Sequence, residues 1–114
     1  MPTKTNEFRE ERLNSSIKEI VGEFLEREVA LAGTLLTVTR IIFKDNATRA
    51  QVFVTVYPES KEKETIKAIE KSLRSLRLFV KEKIKTRIIP FFEFRIDAGE
   101  KNRERVEELL RDHV

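Results

Sequence analysis

Residues 35–57, LLTVTRIIFKDNATRAQVFVTVY, alternate apolar and polar side chains on both sides of one turn signal, Asp45-Asn46. Period-two alternation rich in Val, Ile, Phe and Thr fits a pair of half-buried strands, and Asp and Asn tolerate the backbone of a tight turn. The stretch reads as a β-hairpin. In the returning strand Ala50, Val52, Val54 and Val56 face one way, with Gln51, Phe53, Thr55 and Tyr57 opposite. Strict alternation in the leading strand groups Leu36, Val38, Arg40 and Ile42 on one side. Leu35, Thr37, Thr39, Ile41 and Phe43 then share the other.

The flanks change period. Phe8, Leu13, Ile17, Ile20, Val21, Phe24 and Leu25 give a helical apolar face ending near Glu28, with Thr5 or Asn6 as its cap and Glu7, Glu10 and Glu11 in its first turn. Residues 1–6 are expected to fray. Gly22, inside this helix, reads as a close packing contact. After the hairpin, Pro58 stops the strand and Ser60 is placed to cap a long helix running toward Pro90. Its stripe is Ile66, Ile69, Leu73, Leu76, Val80 and Ile84. Residues 86–89 leave that helix. Pro90 opens a last strand, FFEFRID, with Phe92, Phe94 and Ile96 inward and Phe91, Glu93 and Arg95 outward. Ala98-Gly99 is a turn, and Glu100–Asp112 a short charged helix whose apolar side is Val106, Leu109 and Leu110. The order predicted is α-β-β-α-β-α: an α+β domain with a three-stranded sheet, the first and third helices packed on one face. One domain spans residues 1–114.

Charge is unevenly distributed. Residues 61–88 hold ten Lys or Arg against four Asp or Glu, and the remainder thirteen against sixteen. Beside the long helix's apolar stripe runs a second series, Lys67, Lys71, Arg74, Arg77, Lys81 and Lys85, with Arg40, Arg49 and Arg87 on or near adjoining elements. The plainer reading is a solvated face laced with pairs such as Glu70–Arg74 and Glu82–Lys85. A net excess of cations on one ridge favours phosphate binding instead, because each neutralised phosphate releases counterions.

Other function classes find little support. Cysteine is absent, which excludes disulfides and Cys-based zinc sites. No apolar run approaches the roughly 18 residues of a membrane helix, and the N-terminus lacks a signal peptide's apolar core. The expectation is a soluble, cytoplasmic protein. The single His, His113, has no nucleophile beside it. Asp45 and Asp97 read as turn and cap residues. With Gly22, Gly33 and Gly99 the only glycines, no Walker or dinucleotide loop exists, and no acidic cluster suits magnesium. No enzyme activity, metal or cofactor is expected. A small α/β enzyme of the acylphosphatase type would need a glycine-rich anion loop beside an Arg, and none is present. A protein–protein adaptor remains the alternative from another class.

Four stretches carry a resemblance. Arg9-x-x-Arg12-Leu13 with Ile17 is similar to the opening helix of the ribosome-binding factor A family. Leu36-Thr-Val-Thr-Arg40-Ile, then Ala50-Gln-Val-Phe-Val-Thr-Val56, resembles its hairpin. Arg87-Ile-Ile-Pro90, Phe92-x-Phe94 and Asp97 resemble its R-x-x-P-x-[LF]-x-F-x-x-D segment. Together they cover roughly residues 8–110 of the 114. The resemblance implies a type II KH-like RNA-binding domain, and a monomeric, non-catalytic factor that binds the free or immature small ribosomal subunit and assists late maturation of its rRNA. KH domains clamp nucleotides with a G-x-x-G loop; this family has an Ala-x-Gly kink, and here Ser72-Leu73-Arg74 stands at the matching place. A left-handed glycine bend is therefore not expected, while Ser72 or Ser75 could support a bend through its hydroxyl.

Overall fold

The computed structural model describes residues 3–84 and 89–112 of the chain, with side chains described from Ser15 on apart from several in the last helix. The elements are α1 (Thr3–Glu28), β1 (Leu35–Lys44), β2 (Arg49–Tyr57), a 3₁₀ turn (Glu59–Lys61), α2 (Glu62–Lys71), α3 (Leu73–Lys83), β3 (Phe91–Ile96) and α4 (Ala98–Asp112). The three strands form one sheet in the order β1-β2-β3. β2 is antiparallel to β1 and parallel to β3. Antiparallel neighbours are joined by the expected hairpin. Asp45, Asn46 and Ala47 all take left-handed φ there, and Thr48 Oγ1 donates to the Asp45 carbonyl at 2.7 Å. Parallel neighbours need a long crossover, which α2 and α3 supply.

β2 is the central strand, and its alternation survives intact. Ala50, Val52 and Val54 have no exposed surface. Against them pack Ile17, Val21 and Leu25 of α1, Ile69 of α2, and Leu76 and Val80 of α3. Phe24 and Phe79 bring α1 and α3 together, ring centroids 5.5 Å apart. In β3, Phe92 is buried and Phe94 and Ile96 are half-buried against the same core, as the alternation predicts.

Four local expectations need correction. The pairing of β1 with β2 shifts between Val38 and Arg40, so Thr39 is a bulge residue and the facing inverts beyond it. Leu36 and Val38 point inward, then Ile41 and Phe43, while Arg40 and Ile42 turn out. The long helix is two helices, broken at Ser72; Ser60 lies in the 3₁₀ turn, and the α2 N-cap position is Lys61, with no side-chain cap. The described apolar residues of α4, Val106, Leu109 and Leu110, are 55–62% exposed, so the sheet is backed by α1, α2 and α3 rather than by α4. Gly22 is not a close contact, since a Cβ there would meet nothing within 4 Å. Of residues 86–89, expected to leave the long helix, 86–88 lie outside the described residues.

Asp97 ties the two ends of the sheet together. Its side chain is 8% exposed. Oδ2 accepts from the Thr39 hydroxyl at 2.5 Å, and Oδ1 from the Glu100 backbone N–H at 3.1 Å. Arg40 Nε lies 3.5 Å from Oδ2. The bulge of β1 is thereby fastened to the first turn of α4, and the cap role expected of Asp97 has a geometry. Thr39's hydroxyl, opposed by burial and helped by the Glu100 N–H and Arg40, holds the carboxyl below its ordinary range.

Two outcomes follow. Gly22→Ala should stabilise the protein by about 0.5–1 kcal/mol, the usual helix preference for Ala over Gly where space exists; a lower melting temperature would restore the packing-contact reading. Because the folded value of Asp97 is depressed, its contribution is complete above the unfolded value, about 3.9. It is lost as pH falls through the folded one. Asp97→Asn should cost about 1–3 kcal/mol at neutral pH, since an amide cannot accept from both Thr39 and Glu100 without misplacing a donor. Denaturant melts between neutral and strongly acid pH should show the variant losing less stability on acidification than the parent, and parallel curves would contradict this.

Candidate nucleic-acid interface

α3 has the sequence Leu73-Arg-Ser-Leu-Arg-Leu-Phe-Val-Lys-Glu-Lys83. Leu76 and Val80, four residues apart, sit in the core at 1% and 0% exposure. Helical geometry therefore turns Arg74, Arg77 and Lys81, likewise three and four apart, away from the sheet. All three are exposed. They line an open groove of about 500 Å³ between α3 and the start of β3, whose apolar wall includes Leu78 and Phe91. Leu78 is 55% and Phe91 62% exposed. Arg77 is the most firmly held cation of the three. Its Nη2 donates to the Ile89 carbonyl at 3.1 Å, and its guanidinium carbon lies 4.2 Å from the centre of the Phe91 ring.

The helix break bears directly on this groove. Ser72 has φ −101° and ψ 3°, still on the right-handed side, and makes no side-chain cap bond. Its backbone carries the junction instead, with its N–H on the Ile69 carbonyl and its carbonyl accepting from Leu76. No left-handed residue is required, so the break needs no glycine, and neither is a serine hydroxyl used. The break also separates Glu70 in α2 from Arg74 in α3. Among the described residues, the expected Glu70–Arg74 pair is not formed, and no carboxylate pairs with Arg74, Arg77 or Lys81.

Of the other sequence-predicted residues, Lys67 and Lys71 are exposed on α2 and do not line the groove. Lys85 and Arg87 lie outside the described residues. Arg40 and Arg49 are not part of the ridge. Both stand on the uncovered face of the sheet, each engaged with a carboxylate: Arg40 with Asp97, Arg49 with Glu93 and Asp45. Hydrogen bonds from Arg49 and Gln51 hold Glu93 below its ordinary range, so this pair stays charged at neutral pH. Phe91 and Leu78 are absent from the sequence-predicted set. Alternation places Phe91 outward, yet its meeting with Arg77 depends on the parallel pairing of β3, which a single sequence does not print.

Among the described residues no cluster of His, Asp or Glu could hold a metal ion. None of their helices is long and apolar enough to cross a membrane. His113 lies outside them. The arrangement offers cations and apolar surface, suited to binding a phosphate backbone.

Comparisons with known proteins agree with this architecture. The family model described as ribosome-binding factor A matches residues 9–110. The ribosome-binding factor A of Protochlamydia amoebophila is 31% identical over 105 residues, 90% of this chain and 80% of that one. The crystal structure of ribosome-binding factor A from Thermus thermophilus superposes with a TM-score of 0.64 at 20% identity, covering 75% of this chain and 91% of that one. Homology-based coordinates of the Thermus thermophilus factor, fitted into a cryo-EM map of a 30S–factor complex, give a TM-score of 0.62 at 20% identity, covering 76% and 93%. The chain belongs to the ribosome-binding factor A family, whose members are non-catalytic ribosome assembly factors.

Proposed function

We propose that this protein binds the small ribosomal subunit as a cytoplasmic monomer, and assists late maturation of its rRNA without catalysing a reaction. The Thermus thermophilus relative is fitted into a complex with the 30S subunit, and that partner is carried over to this chain by family membership and by the groove. The observation that carries the reading is the convergence of Arg74, Arg77 and Lys81 on one open groove, with no described carboxylate to neutralise them. Arg74 and Lys81 supply phosphate contacts that position the protein and carry no sequence information. Arg77, braced by Phe91 and the Ile89 carbonyl, offers its remaining donors in a fixed direction. Lys67 and Lys71 extend the basic path along α2. The adaptor alternative rests on the exposed apolar residues of α4, none of which lines the groove.

The test reverses Arg74 and Lys81 to Glu and leaves Arg77, which braces β3, untouched. Both are surface residues without described partners, so stability should change by no more than a few tenths of a kcal/mol per residue. Hydrogen bonds to charged groups are worth about 1.5–3 kcal/mol, so affinity for small subunits should fall roughly tenfold or more per residue. The slope of log K against log salt should flatten by about one for each phosphate that is no longer neutralised. The control reverses Lys18 and Arg27 on α1, with the same change in net charge. Equal weakening by both pairs would mean that net charge alone drives binding and that the groove has no special part.

A further inference from the structure

We infer that the uncovered face of the sheet is a second RNA surface, on which unpaired nucleotides stack after crossing the edge of β3 at Phe91. The inference rests on the RNA-binding reading above but concerns a different surface and a different state of the RNA. Register sets out the face in rows. Arg40 pairs across to Phe53, and Phe53 in turn to Arg95. In another row Lys44 pairs to Arg49, and Arg49 to Phe91. Phe53 thus has an arginine on each neighbouring strand, and the Arg40 guanidinium carbon lies 4.2 Å from its ring centre. Four cations, Arg40, Lys44, Arg49 and Arg95, share this face with Glu93, which Arg49 engages, while Asp45 lies beside Arg49 and Asp97 beside Arg40.

An ordinary solvated sheet face is polar, and Thr37, Gln51 and Thr55 fit that description. Phe91 at 62% and Tyr57 at 71% exposure do not. Aromatic rings interleaved with arginines are the chemistry of single-strand binding: every base has a face to stack, and the cations follow the backbone. A continuous duplex keeps its base faces covered, so unpaired RNA is the occupant this surface fits. The β1 bulge is a second, independent observation. Without the extra residue at Thr39, alternation would turn Arg40 toward the core beside Leu36 and Val38. With it, Arg40 is aimed outward onto Phe53, the re-aiming that bulges perform beside functional sites. Phe91 joins the two surfaces, because it lines the α3 groove under Arg77 and also belongs to the open face.

The experiment measures binding of the full chain to a fluorescent unpaired oligonucleotide of mixed sequence, to a hairpin RNA, and to small subunits. Phe53→Thr with Arg95→Gln keeps good strand formers on the face, and Phe91→Ala tests the edge. Loss of one stacked base should weaken oligonucleotide binding roughly five- to hundredfold, while hairpin binding changes much less. Should the face variants bind the oligonucleotide like the parent, the inference is overturned. The groove reading survives that result if Arg74→Glu with Lys81→Glu still abolishes binding. If the parent binds no RNA and no subunit, both readings fall. Face variants that lose the subunit but keep the oligonucleotide would assign this face to a ribosomal protein and overturn the RNA occupant. Photo-crosslinking of the unaltered protein to a 4-thiouridine oligonucleotide covers the case of misfolded variants: adducts at Phe53, Tyr57 or Phe91 support the inference, and adducts confined to α3 overturn it.

Discussion

The parallel pairing of β3 with β2 is the constraint on which the rest of the molecule depends. An antiparallel third strand could have followed a short turn, but a parallel one demands that the chain cross over the sheet before returning. The crossover is α2 and α3, and their apolar sides close the core over Ala50, Val52 and Val54. Because crossover and sheet are locked by that burial, the opposite side of α3 is forced outward beside the start of β3. There Arg74, Arg77 and Lys81 meet Phe91. The same topology leaves the second face of the sheet without a helix. Both candidate surfaces are therefore consequences of one strand's direction.

Much of this is legible in residue order. The alternation of β2 and β3, the face of α1 from Ile17 to Leu25 and the series Arg74, Arg77 and Lys81 on α3 follow from periods of two and 3.6, and the structure has them where those periods put them. The bulge at Thr39 is not legible, because a bulge is a relation between two strands and appears only when β1 is laid against β2. Strict alternation consequently puts Arg40 and Ile41 on the wrong faces. Periodicity misses the break at Ser72 for a different reason, although the resemblance puts a kink at Ser72-Leu73-Arg74. Ser72 departs little from right-handed geometry, so the apolar spacing from Ile69 through Leu76 continues across it and no glycine or proline marks it. On α4 the apolar triplet is real, but periodicity says only which side of a helix is apolar, never that something covers it.

Charge behaves similarly. The cation excess of residues 61–88 is visible as a count, yet its division is not. Arg40 and Arg49, which residue type alone groups with the ridge, stand on the open sheet face with carboxylates beside them. Those on α3 stand without described carboxylate partners. The break at Ser72 contributes to that difference by taking Glu70 out of the turn that carries Arg74. A cation held by a neighbouring carboxylate must share its donors with any phosphate, whereas one without such a partner needs only to shed water. The groove along α3 is accordingly the stronger candidate of the two for a phosphate site.

Lysine footprinting tests this account most directly. Brief acetylation of the protein, free and bound to small ribosomal subunits, reports which amines the subunit covers. The account predicts that Lys81 becomes unreactive in the complex while Lys18 on α1 reacts as in the free protein. A complex in which Lys81 keeps its free reactivity and Lys18 is protected would contradict it, and would move the RNA-facing side of the protein from α3 to α1.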